Sequence, residues 1–245
     1  MSEPTLTRQV LDQLGIGIVS GEIPGGVVLR TQDLQERFDV SRSVIRDALR
    51  SLKSMNLVQA TRSVGITIRE AHEWDMFSTD VIRWRLASPD WRRQLQSLAV
   101  VRAAIEPVAA GLAARMPTHG DVGSELARIA LLMKEAGEQG DLEVTLDADL
   151  RFHLLILRNC GNEMLAALDE VVEQVLRARH ELHLRPEHPR EVPKVLHQLV
   201  ATAIQEGDAA AAESAMRLLV AEVIEDVARQ AGKAPPGSSI DVPPG

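Results

Sequence analysis

GEIPGGVVLRTQDLQERFDVSRSVIRDALRSLKSMNLVQATRSVGITI, residues Gly21–Ile68, decides the fold of the N-terminal part of the chain. Gly21 to Gly26 interrupts a preceding amphipathic helix over 5–20, in which Val10, Leu14 and Ile18 recur every four residues. Thr31 is placed to cap a short helix through Phe38 with Leu34 inward. Asp39-Val40-Ser41 then makes a tight turn, and Ser41 is the N-cap of a helix reaching Met55. Leu57–Ala60 and Gly65–Ile68 read as two short strands around the polar tip Thr61-Arg62-Ser63. Helix, helix, turn, helix, hairpin is the order of a winged helix-turn-helix.

The third helix carries the chemistry. At about 100° per residue, Ile45, Ala48, Leu49 and Leu52 fall on one face. Arg42, Arg46, Arg50 and Lys53 occupy an arc of roughly 80° beside it, and Ser43 flanks the helix start. An apolar back with an arginine-rich front suits a helix that enters the major groove, where guanidinium forks bind guanine edges or phosphates. The charge distribution agrees. Residues 30–69 hold eight basic and four acidic side chains, a local +4, whereas the whole chain is at −8. A small basic module therefore joins a larger acidic body.

The 245 residues hold only 2% aromatics, with no tyrosine, so cores must be aliphatic and a stacking surface for single-stranded nucleic acid is not expected. One cysteine, Cys160, excludes an internal disulfide framework and fits a reducing compartment. No apolar run approaches membrane-spanning length and no signal-peptide core is visible, so the expectation is a cytoplasmic protein without a membrane partner. The expected division is 1–69 for the winged helix-turn-helix, 70–74 for a linker, 75–231 for an all-helical domain and 232–245 for a disordered Pro/Gly-rich tail. Within the helical domain, Trp74, Phe77, Val81 and Trp84 space as a short helix, and further helices are expected over 91–115, 122–138, 142–158, 162–184, 190–206 and 208–230.

Polar residues on apolar faces are the informative feature of that domain. Asp149 and His153 lie four apart among Leu142, Leu146, Phe152 and Ile156. His197 sits among Val200, Ala201 and Ile204, and Arg102 and Glu106 lie beside Leu98, Ala99 and Ala109. A bare carboxylate or imidazole there costs several kcal/mol of desolvation, so a metal, a ligand or a hydrogen-bonded partner must compensate. These five ionisable groups from three helices suggest one polar cavity, in which a buried arginine attracts a carboxylate. The bland alternatives are a core histidine and a plain Arg102–Glu106 salt bridge.

The same residues carry a family resemblance. The quoted N-terminal stretch, with Val40-Ser41-Arg42 followed by Ile45-Arg46-Asp47-Ala48-Leu49, resembles the DNA-binding domain of GntR-family transcription regulators. The resemblance implies operator contacts by Ser41, Arg42, Ser43 and Arg46. Arg50 on the stripe, Arg62 at the wing tip and the wing glycine Gly65 complete the set. Ser43 replaces the proline usual in that family. The second half is similar to the family's FCD ligand-binding domain, through Val101-Arg102…Glu106, Asp149-x-x-x-His153 and His197. In that domain an Asp and three His commonly hold zinc or nickel. Asp149, His153 and His197 match three of the ligands, and Leu219 stands where the last His is expected, so metal binding is expected to be weak or partial.

Trp74–Trp84 is similar to a segment of FCD regulators of sugar-acid catabolism, including galactonate- and gluconate-type repressors. That implies a sugar-acid effector paired with Arg102, with Glu106 and His183 in the pocket wall. The expectation as a whole is a mainly α, homodimeric repressor that binds double-stranded operator DNA and responds to a small carboxylate. The competing class is a metal-dependent hydrolase using Asp149, His153 and His197, with Glu106 as base.

Overall fold

The computed structural model describes residues 5–61, 65–181 and 191–230, and the chain divides into two compact units, Met1–Gln94 and Leu95–Gly245. The first begins with α1 (Leu6–Val19), whose N-cap Thr5 accepts the Arg8 backbone N–H. β1 (Val28–Leu29) and α2 (Thr31–Phe38) follow. Asp39 ends α2 in the left-handed region, with φ 50°, and turns the chain into α3 (Arg42–Ser54). Aspartate tolerates that backbone because its short polar side chain bonds locally. β2 (Val58–Thr61) and β3 (Gly65–Ile68) pair antiparallel, and β3 is the central strand because β1 adds to its other edge.

The apolar face of α3 is buried as its periodicity requires. Ile45, Ala48 and Leu52 are fully enclosed, packed with Leu14 and Ile18 of α1, with Leu57 just before β2 and with Ile68 of β3. Two expectations need correction here. Thr31 is the first residue of α2 rather than its cap; Arg30 holds the cap position and makes no side-chain bond there. β1 escaped the sequence reading because two residues show no alternation.

The compact units divide beyond the expected linker at 70–74. Ala71–Glu73 forms a 3-10 turn, and α4 (Thr79–Leu86) docks on α1 within the first unit. Its fixing is specific. Trp84 is fully buried and its indole Nε1 donates to Asp12 Oδ1 at 2.7 Å. Asp12 also accepts Arg83 Nη2 at 2.5 Å and Arg8 Nε at 3.0 Å, while both terminal nitrogens of Arg8 bind Asp80, at 3.1 and 2.5 Å. Trp74 and Phe77, expected in this helix, precede it; the Trp74 indole donates to the Arg69 carbonyl at 3.0 Å.

The second unit is helical. It comprises α5 (Trp91–Ala113), whose first turn holds the division between the units, α6 (His119–Gln139), α7 (Leu142–Arg158), α8 (Glu163–Ala166), α9 (Asp169–Glu181), α10 (Glu191–Gln205) and α11 (Ala209–Gln230). α6 packs on α7 and α10, α10 on α11, and α7 on α9. Their shared core is aliphatic, with Phe152 the one fully buried aromatic in it. The single helix expected over 162–184 is two: α8 stops at Ala166 and α9 starts at Asp169. α5 is long and apolar enough to cross a membrane by composition, but half of its apolar window is buried in the fold, as in a core helix. The expected tail at 232–245 lies outside the described residues.

Gly15 marks the closest approach of α1 to Trp84; a β carbon there would lie 2.4 Å from the indole ring. Gly15→Ala should therefore destabilise the protein by about 1–3 kcal/mol despite alanine's better helix propensity. Gly120→Ala, which points into open space on α6, should be neutral or mildly stabilising. Urea unfolding followed by circular dichroism checks both.

Candidate functional site

Two sites emerge, one in each unit. On the first, Ser41 caps α3 through its Oγ, which accepts the Val44 N–H at 3.5 Å and shares a 2.8 Å hydrogen bond with Ser43 Oγ. Arg42, Arg46, Arg50 and Lys53 are exposed and border a concavity of about 260 Å³ whose apolar floor includes Leu49, Val58 and Ile66. Arg50 pairs with Asp47 at 3.0 Å. Among the described residues, Arg42, Arg46 and Lys53 have no carboxylate partner. An exposed Arg–Asp pair contributes only about 0.2–1 kcal/mol, so Arg50 is readily released to another anion. Gly65, at φ 116°, opens β3 where a β carbon would meet Val28 at 3.3 Å. Its backbone region is one that glycine alone enters cheaply. Arg62 lies outside the described residues.

The second site is buried. Arg102, Glu106, Asp149, His153 and His197 are each at most 6% exposed, as their apolar neighbours predict. Arg102 and Glu106 lie one turn apart on α5, Asp149 and His153 one turn apart on α7, and His197 on α10. Glu106 grips Arg102 with both oxygens: Nε donates to Oε1, and Nη2 donates to Oε2 at 3.2 Å. The same Oε2 lies 2.6 Å from His153 Nδ1. Arg102 Nη2 lies 3.4 and 3.3 Å from His153 Nδ1 and Nε2, and Nε2 is also 3.5 Å from Asp149 Oδ1, which is itself 3.3 Å from His197 Nε2. Phe152 meets both imidazoles edge-on, with centroids 5.7 and 4.9 Å away, and fixes their ring planes from the apolar side.

The charges hold one another. Burial pushes the Glu106 carboxyl up, but Arg102 and His153 outweigh it and bring it down to about 2. Burial alone lowers His153, and Arg102 lowers it further, yet Glu106 and Asp149 raise it above the usual imidazole range. The Arg102 guanidinium stays charged because Glu106 opposes its burial. One donor is left over: Arg102 Nη1 is buried and meets no acceptor among the described residues.

One donor atom from each of Asp149, His153 and His197 falls within a mutual 4.8 Å. Two imidazoles and a carboxylate converging in this way fit a divalent transition metal of the zinc or nickel kind, with open positions left for water or a ligand. Leu219, where the resemblance expects another histidine, is a buried core residue. His183, expected in the pocket wall, lies outside the described residues.

Known proteins place these two sites in context. Residues 6–68 match the bacterial regulatory proteins of the gntR family and residues 97–222 match the FCD domain. The chain belongs to the GntR family, in its FCD-containing form. It is 30% identical over 219 residues to the galactonate operon transcriptional repressor of Escherichia coli strain K12, covering 88% of this chain and 93% of that one. It is 32% identical over 226 residues to the HTH-type transcriptional regulator LutR of Bacillus subtilis strain 168, covering 86% and 95%. A solved GntR structure from Streptococcus agalactiae superposes with a TM-score of 0.51 at 27% identity, over 89% of this chain and 99% of that one.

This GntR/FCD protein is thus a DNA-binding transcription regulator and not an enzyme. The hydrolase alternative also fails on geometry, since its intended base, Glu106, is held between Arg102 and His153. Sequence reading missed the Arg8–Asp12–Asp80–Arg83 network on the first unit. Its i,i+3 and i,i+4 pairs were visible, but the bonds across some 70 positions had no local signal.

Removing one partner from a buried ion pair strands the other. Arg102→Ala should cost about 3–5 kcal/mol, and Arg102→Met combined with Glu106→Leu should recover much of it. Chemical denaturation of the three proteins gives the comparison.

Proposed function

We propose that this GntR/FCD regulator is a cytoplasmic homodimer that represses transcription from an inverted-repeat operator and releases it on binding a small carboxylate, of the sugar-acid class. The observation that carries the effector half is Arg102 Nη1, a buried guanidinium donor with no acceptor among the described residues. A buried unsatisfied donor on a charged group costs more than about 1–3 kcal/mol, and an incoming carboxylate relieves that cost. The galactonate repressor among the relatives supports an aldonic acid as occupant. Asp149, His153 and His197 would hold a divalent metal beside it. When bound, that ion supplies a Lewis-acidic centre that attracts carboxylate or hydroxyl oxygens. Leu219 leaves this site one imidazole short, so it holds metal more weakly than a four-residue set.

On the DNA side, Ser41, Arg42, Ser43, Arg46 and Arg50 are the contact residues from α3, with Gly65 and Arg62 from the wing. Two copies are needed because one helix reads too few base pairs for selectivity, and paired heads match two half-sites. Ligand can change operator affinity only by favouring one arrangement of the paired heads over another.

Duplexes selected in vitro from a random library by the purified protein provide an operator probe. Arg46→Ala should weaken binding to the selected duplex by about 1–3 kcal/mol, that is about fivefold to 150-fold, in a gel-shift titration; unchanged affinity removes Arg46 from the contact set. D-Galactonate and D-gluconate should raise the melting temperature and lower operator affinity, and galactose, which lacks the carboxylate, should do neither. If no carboxylate in the series acts, the effector reading fails. Zinc bound after purification without chelator should fall in Asp149→Ala, His153→Ala and His197→Ala, and rise in Leu219→His, as read by elemental analysis.

A further inference from the structure

Lys53 is the member of the cationic row on α3 that the contact set above leaves without a role. It lies exposed in the last turn of the helix. A cation in that turn can simply complement the helix dipole, but this helix end is already closed without it. The Met55 N–H and Ser54 Oγ donate to the Ser51 carbonyl, the Leu57 N–H donates to that of Leu52, and the Asn56 N–H donates to that of Lys53. The ammonium takes no part in that closure.

Helix geometry sets what it can reach. Arg46 and Lys53 are seven residues apart, which is about 10 Å along a helix axis. The major groove is about 12 Å wide, and a recognition helix reads base edges with its N-terminal residues. With Arg42 and Arg46 over the bases, Lys53 stands at the groove wall, which is sugar and phosphate. The surface beside it suits that wall. Arg50 and Lys53 border the concavity between α3 and the strands of the wing, and Leu49 of the helix, Val58 of β2 and Ile66 of β3 give it an apolar floor. Phosphate oxygens require the cations, whereas a deoxyribose, which lacks the 2′-hydroxyl of ribose, can lie on carbon.

We infer that the gap between α3 and the wing seats a stretch of DNA backbone, with Lys53 as its phosphate anchor and a deoxyribose laid over Leu49, Val58 and Ile66. This rests on the assignment of α3 and the wing to DNA made above. It adds a contact that contributes affinity and register and leaves the choice of sequence to the N-terminal half of the helix. An ammonium serves here because it is a point charge, without the planar fork that matches a guanine edge.

The test compares full-length wild type, Lys53→Gln and Lys53→Arg on the selected duplex and on an unrelated duplex across a salt series. The slope of log affinity against log salt should become shallower in Lys53→Gln by about 0.9 for each bound chain. At about 0.1 M salt this is a loss of about eightfold per chain, alike on both duplexes and vanishing toward about 1 M. Lys53→Arg should restore both slope and affinity, and circular dichroism and melting should match wild type in each variant. Selection from the random library repeated with Lys53→Gln should return the wild-type sequence. Uncharged methylphosphonates placed singly in the selected duplex should identify a phosphate whose neutralisation weakens the wild type and leaves Lys53→Gln unaffected. An unchanged salt slope overturns the inference, because Lys53 is then a surface cation only. An altered base preference overturns it too, because Lys53 then reads a base. If the wild type binds neither duplex, the assignment of α3 to DNA fails and the inference falls with it.

Discussion

The C-terminal unit is organised around one buried ion pair. Arg102 and Glu106 lie a turn apart on α5 in a core made almost entirely of aliphatic side chains. Such a pair contributes little net stability, because desolvation consumes most of the Coulombic gain. Its retention has a different physical consequence. Once Arg102 is buried it must stay paired, and Glu106, which takes it at both oxygens, also meets His153 on α7. His153 then presents its other nitrogen to Asp149, and Asp149 to His197 on α10. A single guanidinium thus imposes a polar sequence of contacts across three helices.

The N-terminal unit works by the opposite logic. Its charged row on α3 is exposed, and the buried face of that helix sets where the row points. Ile45, Ala48, Leu49 and Leu52 press α3 onto α1 and the sheet, which leaves Arg42, Arg46, Arg50 and Lys53 outward by helical geometry alone. Precision here comes from the packed back of the helix. Precision in the C-terminal unit comes from hydrogen bonds within the site.

Much of this was legible in the sequence, for identifiable reasons. The α3 face and its Ser41 cap follow from period and composition, and the structure reproduces both. The five inward polar residues were visible because each interrupts an apolar stripe. Which of them bond to which was not, since the Glu106–His153 contact joins positions 47 apart with no local pattern. That the compact units divide only at Gln94, beyond the polar stretch Glu70–Glu73, was not legible, because the bonds that fasten α4 to α1 are long-range. The break between α8 and α9 was lost because Ala167 and Leu168 are good helix formers, so propensity gave no sign of it.

The seating of Trp84 against Gly15, with its indole held by Asp12, makes α4 part of the head that carries α3. The Arg8, Asp12, Asp80 and Arg83 side chains fasten the same helix from its polar side, so α4 is clamped to α1 on two faces at once, by packing on one and by charge on the other.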